Sequence, residues 1–189
     1  TPSAGTLVVT VSGTVTNAQL EEGSTPSSYI PTSGSQVARA GEQIVIPHEN
    51  ISWPAGDELS IHIKGLMTGQ SSEFVRWRLD ASNYIALSSG AGDFTFSQSE
   101  GGTVDSVTGG SFTSGTNVSF NIASRHGSTF INGAVDGTAL TENTTPTTFP
   151  DLENTNLQLA YSGGAMVIKE VSLWDVNIED AGTEDATDD

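Results

Sequence analysis

The sequence predicts an all-β protein: an antiparallel two-sheet sandwich of the jelly-roll kind, with an extended strap at its N-terminal side. Three observations predict this. Many short segments alternate apolar and polar residues, as strands with one buried face do. None keeps the i, i+3, i+4, i+7 spacing of an amphipathic helix over helical length. Turns rich in Gly, Ser, Asn and Asp separate the segments, and 21 glycines in 189 residues suffice to punctuate them all.

Residues 6–21 read as one long strand or two, with Ser12-Gly13 as a bulge or tight turn. In residues 42–47, EQIVIP is a short apolar strand, and the following HENISWPAGDE supplies turn chemistry through Asn50, Pro54, Gly56 and Asp57. Leu59, Ile61 and Ile63 then share one face, opposite Ser60, His62 and Lys64. In EFVRWRLD the alternation groups Val75, Trp77 and Leu79 against Phe74, Arg76, Arg78 and Asp80. The Ala81-Ser82-Asn83 turn joins this segment to NYIALSS as a hairpin. Phe94 and Phe96 share a face, as do Val118, Phe120 and Ile122. Asn132-Gly133 predicts a type I′ hairpin turn, because that turn needs positive φ at both central residues. Leu157, Leu159 and Tyr161 align next, and Val167, Lys169, Val171 and Leu173 form the last stripe. Residues 179–189 carry six acidic side chains and no aromatic, the composition of a solvated tail.

The strap is AQLEEGSTPSSYIPTSGSQVARA, residues 18–40. Gly23, Pro26, Pro31 and Gly34 interrupt any strand ladder, while Leu20, Tyr29, Ile30 and Val37 are spaced as anchors. A flexible Ser/Thr linker is the alternative. This stretch resembles the Q-L-E-x-G … S-Y-I-P-T … R-A segment of bacteriophage tail-fibre and other virion proteins. It departs from that segment at Thr16-Asn17, Ala38 and Gly41-Glu42. There the segment precedes a concanavalin A-like (laminin G-like) jelly roll. FVRWRLDASNYIALSS, RHGSTFINGAVDG and the closing MVIKEVSLWDVNIED are similar to that family in order. The resemblance implies an N-terminal strand and strap over 1–41, a sandwich over 42–178 and the acidic tail. It further implies a virion-exterior module, in a tail fibre or as a capsid decoration, that contacts host-surface glycan. Its partners would be other virion proteins and copies of itself, as a trimer in fibres. A purely structural decoration protein and a carbohydrate-binding module cut from a secreted bacterial enzyme are the alternatives.

Charge narrows the function. With 23 acidic against 6 basic side chains the formal charge is −17, which repels phosphate backbones and anionic membranes. No apolar run approaches the roughly 20 residues of a membrane-spanning helix. Cysteine is absent, which removes disulfides, thiolate nucleophiles and Cys-based zinc sites.

Catalysis is not expected. The Glu-x-Asp-x-Glu strand of hydrolases with this fold is missing, and Ser60-Ile61-His62 lacks the Gln of a lyase Gln-x-His strand. His48, His62 and His126 are not at metal-ligand spacing. Sugar sites combine an aromatic platform with planar hydrogen-bonding groups, so Trp53, Phe74, Arg76 and Arg78 are the candidate ligand-binding residues. The two arginines either meet an anionic ligand or neutralise neighbouring carboxylates. Trp77 and Trp174 read as packing residues. Asp151, Glu153, Asn154 and Asn156 offer hard oxygens to Ca²⁺ in one loop, without the spacing of an EF-hand; a plain polar loop is the simpler reading.

Overall fold

The structure is a computed structural model that describes residues 10, 12–16, 19, 29, 31–33, 35, 43–52, 57–90, 92–147 and 149–188. The chain divides into two compact units, Thr1–Ala40 and Gly41–Asp189. In the first, most of the strand expected over 6–21 and the anchors Leu20, Ile30 and Val37 lie outside the described residues. Tyr29 is described and is 47% exposed.

Among the described residues, the second unit contains nine strands and one α-helix. The strands are β1 (Ile44–Ile46), β2 (Glu58–Arg78), β3 (Tyr84–Gly90), β4 (Asp93–Glu100) and β5 (Thr103–Ser111), then β6 (Gly115–Gly127), β7 (Ile131–Val135), β8 (Thr138–Ala139) and β9 (Leu157–Trp174). A 3₁₀ turn, His48–Asn50, follows β1, and the helix α1 (Glu179–Thr187) follows β9. No helix among the described residues is long and apolar enough to cross a membrane.

All pairings are antiparallel, and the two longest strands organise them. Residues 58–67 of β2 lie between β6 and the 165–174 part of β9, while residues 72–78 lie between β3 and the 157–163 part of β9. Register shifts between Thr68 and Ser72 mark the passage from one half to the other. One continuous hydrogen-bonded ladder thus serves two layers. The first runs β8-β7-β6-β2-β9 and the second β5-β4-β3-β2-β9-β1. The fold is the expected two-sheet jelly roll.

The layers meet over an aliphatic and aromatic core. Leu59, Ile61 and Ile63 point inward from the first half of β2, as their alternation predicts, and are fully buried, each worth about 1.5–3 kcal/mol. Phe120 of β6 meets Phe74 of β2 with ring centroids 4.6 Å apart, and Phe74 also meets Phe94 of β4 at 5.7 Å. Gly133 of β7 lies against the opposite layer so closely that a Cβ there would stand 2.2 Å from the Phe96 ring.

Several expectations are corrected. Asn132-Gly133 is not a turn but the middle of β7; the left-handed pair that closes the β7–β8 hairpin is Asp136-Gly137, at φ 47° and 75°. Tertiary packing overrides the dipeptide's local preference, since the glycine makes room for Phe96. The stripe Val167, Lys169, Val171, Leu173 is broken by a shift in pairing between Lys64 and Gly65, which leaves Val167 exposed and turns Ile168 toward the core. Leu79 is exposed beyond the end of β2. β5 carries no apolar alternation that would announce a strand, because Val107 is its one buried side chain.

The acidic C-terminus is also corrected: residues 179–187 are helical rather than a loose tail. This helix has no apolar stripe, so polar contacts hold it on the outer face of the first layer. Asp180 Oδ1 accepts hydrogen bonds from Arg125 Nε at 2.8 Å and Asn132 Nδ2 at 2.8 Å. Asn121 Nδ2 donates to the Thr187 carbonyl at 2.9 Å, and its Oδ1 meets buried His62 Nε2 at 2.8 Å. Glu179 and Asp180 in the first turn also suit the positive end of the helix dipole.

Candidate functional site

The site is made by two bulges that face each other. On β2 the pairing shifts between Glu73 and Val75, so Phe74 and Val75 both turn inward and Arg76 turns out. On β9 the same shift falls between Leu159 and Ser162, where Ala160 takes a left-handed conformation (φ 53°). Leu159 stays in the core, and Tyr161 emerges on the outer face of the second layer instead of continuing the Leu157–Leu159 stripe. Bulges commonly re-aim a side chain in this way.

Arg76 is held between two tyrosines. Its guanidinium carbon lies 4.7 Å from the Tyr161 ring centre and 5.6 Å from that of Tyr84. Glu73 fixes the other side, accepting from Arg76 Nε at 2.6 Å and pairing with Nη2. This arginine therefore neutralises a carboxylate and braces an aromatic ring. Arg78, two residues on, is exposed and stands 5.9 Å from the Tyr161 ring.

Beside this ring opens a polar cleft of roughly 590 Å³, lined by Gln43, His48, Arg78, Asn154, Thr155, Asn156, Gln158 and Tyr161. Gln158 stands level with Arg76 in the ladder, one strand away. Gln43 Nε2 donates to the Tyr161 carbonyl at 3.1 Å, and His48 N–H donates to Asn156 Oδ1 at 3.0 Å. The Asn156 contact leaves its Nδ2 directed to no protein acceptor among the described residues, and there Asn154 and Gln158 also keep their amides uncommitted. An aromatic surface with three planar amides and a guanidinium can stack on a sugar C–H face and bond its hydroxyl rim.

The expected ligand-binding residues separate. Arg76 and Arg78 belong to this face. Phe74 does not; the bulge buries it fully against Phe120 and Phe94. Trp53 lies outside the described residues. Tyr161 is the residue the alternation misplaced, and Ala160 in its strand carries no local sign of a bulge.

The loop weighed for calcium, with a plain polar loop as its simpler reading, makes these contacts. Asp151 Oδ1 caps the turn by accepting from Glu153 N–H at 3.0 Å, and Asn156 Oδ1 is taken by His48. Among the described residues no group of three or more His, Asp or Glu could hold a metal ion. Asn154 and Asn156 line the cleft instead.

Two histidines are structural: His62, bonded to Asn121, and His126. His126 is buried between the layers, where Nδ1 faces Gln98 Oε1 at 3.3 Å and Nε2 faces Ser124 Oγ at 3.0 Å. Gln98 Nε2 donates to the Gly127 carbonyl, so its Oε1 is the acceptor for an Nδ1–H tautomer. Burial lowers the pKa of His126 to about 3.

No protein-family model and no curated protein sequence matches the chain. Solved structures do. The binding domain of botulinum neurotoxin serotype D superposes with a TM-score of 0.60 at 11% identity, over 79% of this chain and 40% of that one. A laminin structure, domains LG4-5 of the mouse alpha1 chain, gives 0.57 at 15% identity over 73% and 40%. A structure of botulinum neurotoxin type C, whose cell entry depends on interaction with two ganglioside molecules, gives 0.59 at 10% identity over 78% and 40%. The fold is that of a laminin G-like jelly roll. The chain spans about 40% of the length of each of these structures.

Proposed function

We propose that this chain is a non-enzymatic carbohydrate-binding module on the exterior of a bacteriophage virion. The observation that carries the binding role is the cleft at Tyr161, where the β9 bulge turns an aromatic ring out beside Arg78 and three amides on one exposed face. Among the described residues its lining holds no pair of carboxylates, the arrangement glycosidic acid–base chemistry requires, which supports binding without turnover. Ganglioside dependence of the type C neurotoxin gives the same fold a precedent for glycan contact.

The virion placement rests on the strap, whose order Q-L-E-x-G … S-Y-I-P-T … R-A resembles phage fibre proteins. In that setting copies of the chain assemble with one another and with other virion proteins. Many shallow, open clefts on one particle then give avidity that a single cleft lacks.

A glycan array tests the binding role. Wild-type protein is expected to retain a defined set of glycans, and Tyr161→Ala to lose that set while its melting temperature falls by no more than a few degrees. Retention of the same set by Tyr161→Ala would move the site elsewhere.

A further inference from the structure

We infer that the cleft at Tyr161 selects acidic sugars, units bearing a carboxylate or a sulfate, through the guanidinium of Arg78. This rests on the carbohydrate-binding reading of the same cleft and names its ligand class.

The chain carries 23 acidic and 6 basic side chains, so a cleft whose one charged lining side chain is an arginine runs against the charge of the molecule as a whole. Among the described residues this one has no carboxylate: its charged or titratable lining is Arg78, His48 and the Tyr161 hydroxyl. The surrounding described carboxylates are paired, hydrogen-bonded or exposed outside the lining. Glu73 is spent on Arg76. Asp80 accepts from the N–H groups of Ser82 and Asn83 at 2.7 and 2.9 Å and from Asn83 Nδ2, which holds its pKa below the ordinary value; Arg78 adds a smaller effect. Glu49 stands 3.5 Å from His48 Nδ1, and its side chain is 66% exposed, outside the lining. Glu153 is exposed on the loop that brings Asn154.

Arg78 differs from the other described arginines. Arg76 is paired with Glu73, and Arg125 is buried between Asp180 and Glu142 at 2.7 and 3.1 Å. Among the described residues Arg78 makes no ion pair within 4.0 Å, and the Tyr161 ring is its one close aromatic contact. A guanidinium presents a planar fork of N–H donors that matches a carboxylate or sulfate edge, and the neighbouring amides suit the hydroxyls of the same ring. Positive charge kept available in a cleft cleared of carboxylates fits a negatively charged sugar.

An array that pairs each neutral glycan with its uronic-acid, sialic-acid and sulfated counterparts tests this. Acidic members are expected to bind about two- to fivefold more tightly than their neutral parents, the scale of one solvent-exposed ion pair. Arg78→Gln should close that gap, whereas Lys169→Gln, an exposed cation on the other layer, should leave it open. A preference for only the carboxylated or only the sulfated members would identify the source of the charge and still support the inference. Equal binding of neutral and acidic members, lost in Tyr161→Ala, would overturn the acidic preference and keep the cleft. An equal effect of Lys169→Gln would assign the preference to overall charge and overturn the role of Arg78. Binding to no member would overturn both.

Discussion

The Arg76 guanidinium lies 4.7 Å from the centre of the Tyr161 ring, across the two strands whose bulges place both residues on the outer face. The contact couples an ion pair to an aromatic platform: Glu73 fixes Arg76, and Arg76 fixes Tyr161. Cation–π contacts of this kind contribute about 0.5–1 kcal/mol at exposed sites. Here the larger consequence is that the ring is oriented before any ligand arrives, which lowers the entropic cost of binding.

Binding and stability should therefore separate at this pair. Arg76→Met strands Glu73, whose side chain is 10% exposed, and should cost about 2 kcal/mol in denaturant unfolding. Adding Glu73→Gln should recover most of that stability. Glycan affinity should stay reduced in the double variant, because the ring is still unbraced. Titration calorimetry and chemical unfolding on the wild type and both variants check the two halves.

At Gly133, Gly133→Ala should be among the most destabilising single-methyl changes in the chain. The added Cβ would stand 2.2 Å from Phe96, a fully buried ring. Overpacking of a filled core costs about 1–3 kcal/mol. A shift of several degrees in melting temperature is expected, and an unchanged value would contradict the interlayer packing.

The C-terminal helix should be an integral part of the stability of the first layer. Arg125 is 3% exposed and depends on Asp180 and Glu142 for its countercharge. Asp180→Ala removes its shorter contact and one partner of Asn132, and should destabilise by about 1.5–3 kcal/mol. Hydrogen exchange should then rise first in α1. Arg125→Met combined with Asp180→Ala should restore part of the loss, since that buried cation is no longer there to be left short of countercharge.

Acid should destabilise the fold through His126. Its folded pKa, near 3, is below the unfolded value of 6.5, so between these values the unfolded chain binds a proton that the folded chain excludes. Stability contributed by neutral His126 is intact above about pH 6.5 and falls as pH drops toward 3, by about 1.4 kcal/mol per pH unit. The facing side chains, Gln98 and Ser124, are uncharged and do not offset this. Denaturant midpoints between pH 7 and 4 should fall less steeply in His126→Gln than in the wild type.

The fold was legible in the sequence wherever one face of a strand is simply inside. Leu59, Ile61, Ile63, Phe94, Phe96, Phe120 and Ile122 follow their alternation into the core. Legibility failed where a bulge changes the phase, because one extra residue sends every later side chain to the opposite face. That is why Phe74 moved in and Tyr161 moved out, and why Lys169 left its stripe. Half of the candidate site, Arg76 and Arg78, survived because both follow the bulge on β2 together with Val75 and Trp77. The helix escaped notice for another reason. Its docking face is Asp180, Thr183 and Thr187, and hydrophobic periodicity cannot reveal a polar interface.

The most direct test is a crystal structure of the full chain with an oligosaccharide selected on the array. Sugar density is predicted over Tyr161, with hydroxyls within hydrogen-bond reach of Gln158, Asn154 or Asn156 and the acidic group at Arg78. A ligand seated elsewhere, with this cleft filled only by water, would contradict the assignment of the site.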